Sequence, residues 1–344
     1  MSAEEIGFAI IGAGMVARYH ATAIERTPGA RLVAVGRSDL ARAEETATQF
    51  GVPCLADYTA LLARDDVDAV CICTPSGLHA EQTIAAARAG KHVLVEKPMA
   101  LTLADADAMI AACAQAGVRM GVALQRRTEP EFQRLQAAIA AGELGRLVLG
   151  SISMPYLRRQ SYYDSAAWRG TWALDGGGAL MNQGIHLVDL LLWLAGDAAE
   201  VRATAATLAH AIEVEDCLTA TLRFVNRALG SIIATTAAAP GFPHRVEIYG
   251  ERGGVQIEGE QIVRWEGSGA REPRSQNQAP IAAGAGASPT GIGAAGHTRL
   301  LGDFVAAIRD RREPVAPGRE GRRSLALVLA VYEAARTGQS VQPG

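Results

Sequence analysis

The most constraining stretch of this chain is its beginning. A six-residue apolar run, Ile6–Ile11, leads straight into Gly12-Ala13-Gly14-Met15-Val16-Ala17, and a helical pattern follows to about Glu25. This is G-x-G-x-x-A between a strand and a helix. The first glycine permits a tight turn, and the second lets a ligand approach the backbone. The third position must be small where helix packs on strand, which Ala17 satisfies. The helix N-terminus then presents its unpaired N–H groups to an anion, as a pyrophosphate requires. A second strand at Arg31–Val35 completes the context for a dinucleotide-binding fold.

The end of that second strand bears on the cofactor. An acidic side chain there would take the ribose 2′-hydroxyl of NAD. The chain reads Gly36-Arg37-Ser38-Asp39, with Arg42 following. A guanidinium and a hydroxyl suit a 2′-phosphate, so NADP(H) is favoured over NAD(H). Two alternatives stay open: Arg37 stacking on adenine, and Asp39 turning inward to restore NAD binding.

Further strand–helix units follow. Ala69–Cys73 ends in Thr74-Pro75-Ser76-Gly77-Leu78-His79, and His92–Val95 ends in Glu96-Lys97-Pro98. Carboxyl ends of parallel strands are where such sheets bind ligands. Thr74, Pro75, Ser76, His79 and Glu96 are therefore expected beside the cofactor, although a histidine near a helix start is more often structural. Lys97, biased to an extended conformation by Pro98, can project over the sheet edge and polarise a substrate hydroxyl. A surface Glu–Lys pair is the bland alternative. Val118–Leu124 ends in Gln125-Arg126-Arg127, again at a carboxyl end. Gln125 is assigned to the cofactor and Arg127 to the substrate.

In the second half, Asp175–Gly196 reads DGGGALMNQGIHLVDLLLWLAG. At 3.6 residues per turn, Asn182, His186, Asp189 and Trp193 share one helix face, opposite Leu180, Leu187, Leu191 and Leu194. An imidazole there can move a proton at working pH, with Asp189 a possible orienting group. The structural alternative is a helix cap and a satisfied core histidine. Upstream, 156–174 mixes three tyrosines and two tryptophans with Arg158, Arg159 and Arg169. Aromatic faces and hydrogen-bonding charges suit a sugar, and Tyr163 is expected to line it. Alternating runs from 201 to 265 indicate an antiparallel sheet. An Ala/Gly-rich loop over 267–296 precedes a helix from His297 to about Arg309, and a final helix covers 321–335.

The glycine motif, Glu96-Lys97-Pro98 and the glycine-rich Asn182…His186 helix, in this order and at these intervals, resemble the glucose–fructose oxidoreductase / inositol dehydrogenase / rhizopine-catabolism (Gfo/Idh/MocA) family over essentially the whole length. The resemblance implies a nicotinamide-dependent oxidoreductase of a secondary alcohol on a sugar or polyol. It carries the family's lysine onto Lys97, its histidine onto His186, and a cofactor-touching Trp-Arg pair onto Trp168-Arg169. The family usually has an aspartate four residues before the histidine. Asn182 departs from that, leaving His186 to carry proton transfer more nearly alone, and Asn182→Asp would restore the commoner pattern with activity retained. The wording GGGALMNQGIH resembles members acting on pyranoses, including some that oxidise C3 of nucleotide sugars. A non-catalytic, cofactor-sensing sugar regulator on the same fold is the other class, and retention of both Lys97 and His186 favours the enzyme.

The expected fold class is α/β followed by α+β. A Rossmann dinucleotide-binding domain covers 1–125. A domain over 126–344 is built on a large, mostly antiparallel open sheet, through which a homodimer or homotetramer is expected. A net charge of −3 over 344 residues gives no electrostatic case for nucleic acid. No apolar run nears the ~20 residues of a membrane span, and a cytoplasmic protein is expected. Five scattered cysteines, lacking metal-ligand spacing, read as reduced structural thiols with no metal site.

Overall fold

The computed structural model describes residues 5–267, 284–288 and 293–344. Along the first part of the chain run β1 (Ile6–Ile11), α1 (Met15–Arg26), β2 (Ala30–Gly36), α2 (Ala43–Phe50), β3 (Cys54–Leu55), α3 (Tyr58–Leu62), β4 (Ala69–Ile72), α4 (His79–Arg88), β5 (His92–Val95), α5 (Leu103–Ala116) and β6 (Met120–Val122). They are followed by α6 (Pro130–Ala140), β7 (Leu147–Pro155), α7 (Gln160–Tyr163), α8 (Ile185–Ala195) and the strands β8 (Ala198–Ala206), β9 (Cys217–Phe224), β10 (Leu229–Thr235), β11 (Arg245–Gly250), β12 (Gly253–Glu258) and β13 (Gln261–Glu266). Two helices follow, α9 (Ala295–Arg309) and α10 (Gly318–Thr337).

The chain divides into two compact units. The first takes the described residues of Met1–Thr128 and Gly293–Arg322, the second those of Glu129–Ile292 and Arg323–Gly344. The sequence-based boundary at 125 treats the C-terminal part as one piece. The structure instead returns 293–322 to the first unit. The physical reason is α9, whose Leu300, Leu301, Phe304 and Val305 join the core formed by Ile6, Phe8, Ile10, Ala17 and Ile24. Phe304 is fully buried, and its ring centroid is 6.4 Å from that of Phe8.

In the first unit, six parallel strands lie in the order β3-β2-β1-β4-β5-β6. The strand order reverses between β1 and β4, which defines the switch point of a doubly wound sheet. The run β1 is buried at every position, as a strand covered on both faces must be. Helix α5 starts where Thr102 caps it, its side chain accepting the Asp105 N–H at 3.1 Å, and Gly117 closes it in a left-handed conformation.

The second unit holds a seven-stranded sheet ordered β13-β12-β11-β7-β10-β9-β8. Pairings are antiparallel except β7 with β10. Buried and exposed residues alternate along β9 and β10, so one face is covered and the other is open. Helix α8, apolar nearly all round, lies close to the covered face. A Cβ at Gly150 would meet Leu191 and Ala195 at 3.2 Å, so this glycine admits the helix. The long loop expected over 267–296 falls mostly outside the described residues.

If α9 completes the first unit, Phe304→Ala should destabilise it by about 3–5 kcal/mol, the usual cost of emptying an aromatic site in a core. Urea unfolding measures this, and a loss below about 1 kcal/mol would show that α9 is an accessory.

Candidate active site

In the first unit the glycine turn is built by steric necessity. Gly12 has φ +98°, and a Cβ there would lie 2.7 Å from the Cys73 carbonyl oxygen and 2.9 Å from Thr74 N. Only glycine lets β1 end this close to β4. At Gly14, the N-cap of α1, a Cβ would meet no atom within 4 Å, and no side chain caps the helix. Ala17 is fully buried, Ala13 and Val16 pack on the core, and Met15 is exposed. A bare helix N-terminus with open space above the second glycine fits a dinucleotide pyrophosphate.

Around the adjacent strand ends, Thr74 donates its hydroxyl to Gln82 Oε1 at 2.6 Å, and Ser76 is buried. His79 is also buried. Its Nδ1 lies 2.8 Å from the Pro98 carbonyl and its Nε2 2.9 Å from the Thr74 carbonyl. It thus ties the end of β4 to the turn after β5. Both partners are acceptors, so only the imidazolium would donate to both. Burial is the larger effect and lowers the pKa of His79. The histidine is a brace inside the fold, and its ring is not offered to a cofactor.

Glu96 departs from expectation in the same way. Its carboxylate is buried, with Oε1 2.8 Å from His20 Nε2 and 3.6 Å from His297 Nε2. Its Oε2 accepts the Lys97 N–H at 3.2 Å. Burial alone would raise its pKa, but hydrogen bonds from His20 and His297 and their charge outweigh this and hold it well below the ordinary value. The His20 pKa is lowered, chiefly by burial. His20, Glu96 and His297 bring three ligand atoms within 4.8 Å, the right types for a metal ion. The 2.8 Å contact is already a full hydrogen bond, so the cluster reads as a hydrogen-bonded pin beneath the Lys97 backbone. Neither histidine was assigned this role from the sequence. Lys97 itself is half-buried.

Gln125 opens a short 3-10 turn that follows β6, and its Oε1 is a buried acceptor without a partner among the described residues. Arg127 does not face a substrate. It is buried, and its Nη2 donates to Glu320 Oε2 at 2.9 Å, because a guanidinium placed inside the fold needs a carboxylate. At the end of β2, Arg37 Nη2 lies 3.9 Å from Asp39 Oδ2, and Arg42 donates to both oxygens of Glu45 at 2.8 and 3.0 Å.

In the second unit, the glycine triplet is pressed against a buried carboxylate. A Cβ on Gly178 would overlap the Glu215 carbonyl, and one on Gly177 would overlap the Tyr332 hydroxyl. Glu215 Oε2 accepts Gly178 N–H at 2.9 Å. Its Oε1 accepts Leu180 N–H at 2.8 Å and the Tyr332 hydroxyl at 2.9 Å. Burial raises its pKa, against those hydrogen bonds. The backbone then makes a π-helical passage over Ala179–Gly184 before α8 begins. A uniform 3.6-residue helix over this stretch, as the sequence pattern implied, is not what forms. Such wide turns occur often at functional sites. Asp189, suggested by the sequence as an orienting group for His186, has a partner of its own. It is buried and accepts the Ser324 hydroxyl at 3.0 Å.

Asn182, Gln183 and His186 are half-buried. Asn182 Nδ2 donates to Asp175 Oδ1 at 2.5 Å, and Asp175 Oδ2 accepts Gly170 N–H at 2.9 Å. Gln183 Nε2 is 3.3 Å from both Asn182 Oδ1 and Tyr162 Oη, while its Oε1 is buried without a partner among the described residues. Arg169 stacks over Tyr162 and Trp168 at 4.3 and 4.5 Å and donates to the Tyr162 hydroxyl at 2.6 Å. Tyr163, the expected sugar contact, is instead buried. Its hydroxyl is 2.8 Å from Thr236 Oγ1, its ring packs on His210, and burial pushes its pKa up to about 12. On so short a helix, the next residue faces the other way. Tyr162, the preceding residue, is half-buried and meets Arg169 and Gln183. Asp175, Tyr162 and Gln183 were missed, although all three lie inside stretches already singled out.

The profile of an oxidoreductase family with an NAD-binding Rossmann fold (GFO_IDH_MocA) matches residues 6–124, and that of the GFO/IDH/MocA C-terminal domain matches 132–256. The chain belongs to the Gfo/Idh/MocA family. It is similar to 1,5-anhydro-D-fructose reductase of Ensifer adhaerens (31% identity, 97% of each chain) and to inositol 2-dehydrogenase of Rhizobium meliloti (28%, 94% of this chain and 95% of that one). It also resembles the solved WlbA dehydrogenase of Bordetella pertussis in complex with NADH and UDP-GlcNAcA, at 35% identity and TM-score 0.87 over 98% of this chain and 99% of that one. As a member of this family the protein is an oxidoreductase of CH–OH groups with an NAD-binding first unit. No described helix is long and apolar enough to cross a membrane.

The Glu96 cluster makes a pH prediction. A carboxylate with a depressed folded pKa contributes stability that is fully present above its unfolded value of about 4.3 and disappears as pH falls through the folded value. Glu96→Gln should therefore lower the unfolding midpoint at pH 7, and the gap should close as pH drops below about 4. A gap of equal size at pH 3 and pH 7 would show that packing, not charge, is what Glu96 supplies.

Proposed function

We propose that this protein oxidises, or in reverse forms, a secondary alcohol on a pyranose sugar. The observation that carries the substrate class is the polar surface of the second unit. It combines Asn182, the unpartnered acceptor Gln183 Oε1, and the stacked Tyr162–Arg169 pair. A ligand rich in hydroxyl donors and C–H faces matches this set. A nucleotide-linked pyranose is the second reading, favoured by the likeness to a structure holding UDP-GlcNAcA.

Bound NAD(H) supplies the hydride acceptor or donor. Lys97, held from below by Glu96, stabilises negative charge as it grows on the substrate oxygen. His186 takes or returns the hydroxyl proton, and Asn182 orients the substrate by hydrogen bonding. Gly12–Ala17 holds the pyrophosphate, with Thr74, Pro75, Ser76, Gln125, Trp168 and Arg169 contributing to the cofactor environment. Arg37 and Arg42 each stand against a carboxylate. The Arg42–Glu45 pair and the likeness to NADH-bound structures support NAD(H) over NADP(H). The open sheet face bearing Leu149, Leu229 and Ile233, all exposed, supports contact between copies of the chain.

The test is reduction of NAD⁺ and NADP⁺ by free pyranoses, inositols and UDP-linked pyranoses. We expect turnover with a pyranose class, faster with NAD⁺, and a drop in kcat of roughly 10²–10⁴-fold in His186→Ala with NADH affinity kept. No turnover with any of them, or full activity in His186→Ala, would overturn this reading.

A further inference from the structure

We infer that Asp175 is a positioning residue for the proposed reaction. In this chain a carboxylate of the site sits at position 175, and Asn182 is an amide partner of it. The inference rests on the functional reading above and adds a residue that neither the motif nor that reading uses. Asp175 is 2% exposed, and both of its oxygens are engaged. Through Oδ2 it holds Gly170 N–H, next to Arg169. Through Oδ1 it accepts the Asn182 amide N–H at 2.5 Å.

An amide has one donor end and one acceptor end. With Nδ2 committed to Asp175, Asn182 presents Oδ1 away from the carboxylate, at 3.3 Å from Gln183 Nε2. The buried carboxyl group therefore chooses which end of Asn182 a substrate hydroxyl meets. The same carboxyl group anchors the Trp168–Gly170 segment to the π-helical passage, so one side chain sets two parts of the polar surface. The role is one of orientation, and no proton or bond is transferred through Asp175.

This reverses an expectation from the family pattern. Asn182→Asp does not restore a missing carboxylate here. It places a second carboxylate against the first in a buried position, where both cannot ionise together, and one must hold a proton. Asp175→Asn leaves two amides facing each other in place of an amide and a carboxylate. The double exchange, Asp175→Asn with Asn182→Asp, returns one carboxylate and one amide in reversed order.

The experiment compares wild type, the two single variants and the exchange. In the free protein, thermal unfolding at pH 8 needs no substrate. Each single variant should lose roughly 3 °C or more, and the exchange should recover most of that loss. With the pyranose substrate, Asn182→Asp should lose about tenfold or more in kcat at pH 8 and regain activity as pH falls, whereas wild type shows no such recovery. A purely structural residue would shift the unfolding midpoint without creating that pH profile. Additive losses in the exchange variant, or an Asn182→Asp enzyme with the wild-type kcat and profile, would overturn the inference. If no substrate is turned over by any variant, the functional reading fails, and the unfolding cycle alone decides whether the two side chains form this pair.

Discussion

The second unit depends on a carboxylate with no chemistry of its own. Glu215 is buried, yet it accepts two consecutive-turn N–H groups of the Gly178–Leu180 backbone and the Tyr332 hydroxyl. A buried charge is costly unless fully hydrogen-bonded, and here it is repaid by four otherwise unsatisfied backbone and phenol groups finding fixed partners, Met181 N–H on Tyr332 included. The glycine triplet exists because side chains at 177 and 178 would collide with this clamp. From it the π-helical passage emerges with Asn182 and Gln183 turned to one surface. Remove the clamp and the polar groups that follow have nothing to set their direction.

The first unit solves a similar problem with a different cluster. A lysine at a strand end is useful only if its backbone is held, and Glu96 holds it from inside the fold with His20 and His297. His79 braces the same turn from the other side. In both units a half-buried polar residue is supported by a buried ionisable group beside its backbone. This matches what a polar site must do to be preorganised: spend the folding energy in advance, so that little reorganisation is left for the reaction.

Much of this was legible in the sequence. Gly12 and Gly14 sit in a motif whose steric logic is local, so the turn and its strand and helix follow directly. The strands of the second unit announce themselves because one face is covered and one is open, which imposes a period of two. What stayed hidden depends on partners distant in the chain. The buried stripe of α9 says that it packs, but not that Phe304 meets Phe8. The π-helical passage is invisible to a 3.6-residue period. Arg127 and Tyr163 have side chains suited to a sugar, but Glu320 and Thr236 claim them. Asp175 opens the stretch read above, but its bond to Asn182 shows only in the fold.

The account stands or falls on a carbinol hydrogen moving to the nicotinamide ring. Wild-type protein, NAD⁺ and a pyranose deuterated at its ring carbinol carbons, free or UDP-linked, form the decisive mixture, with the recovered NADH analysed by mass spectrometry. The account predicts one deuterium per NADH and slower turnover than with the unlabelled sugar. NADH formed without deuterium, or none formed from any such pyranose, would contradict it.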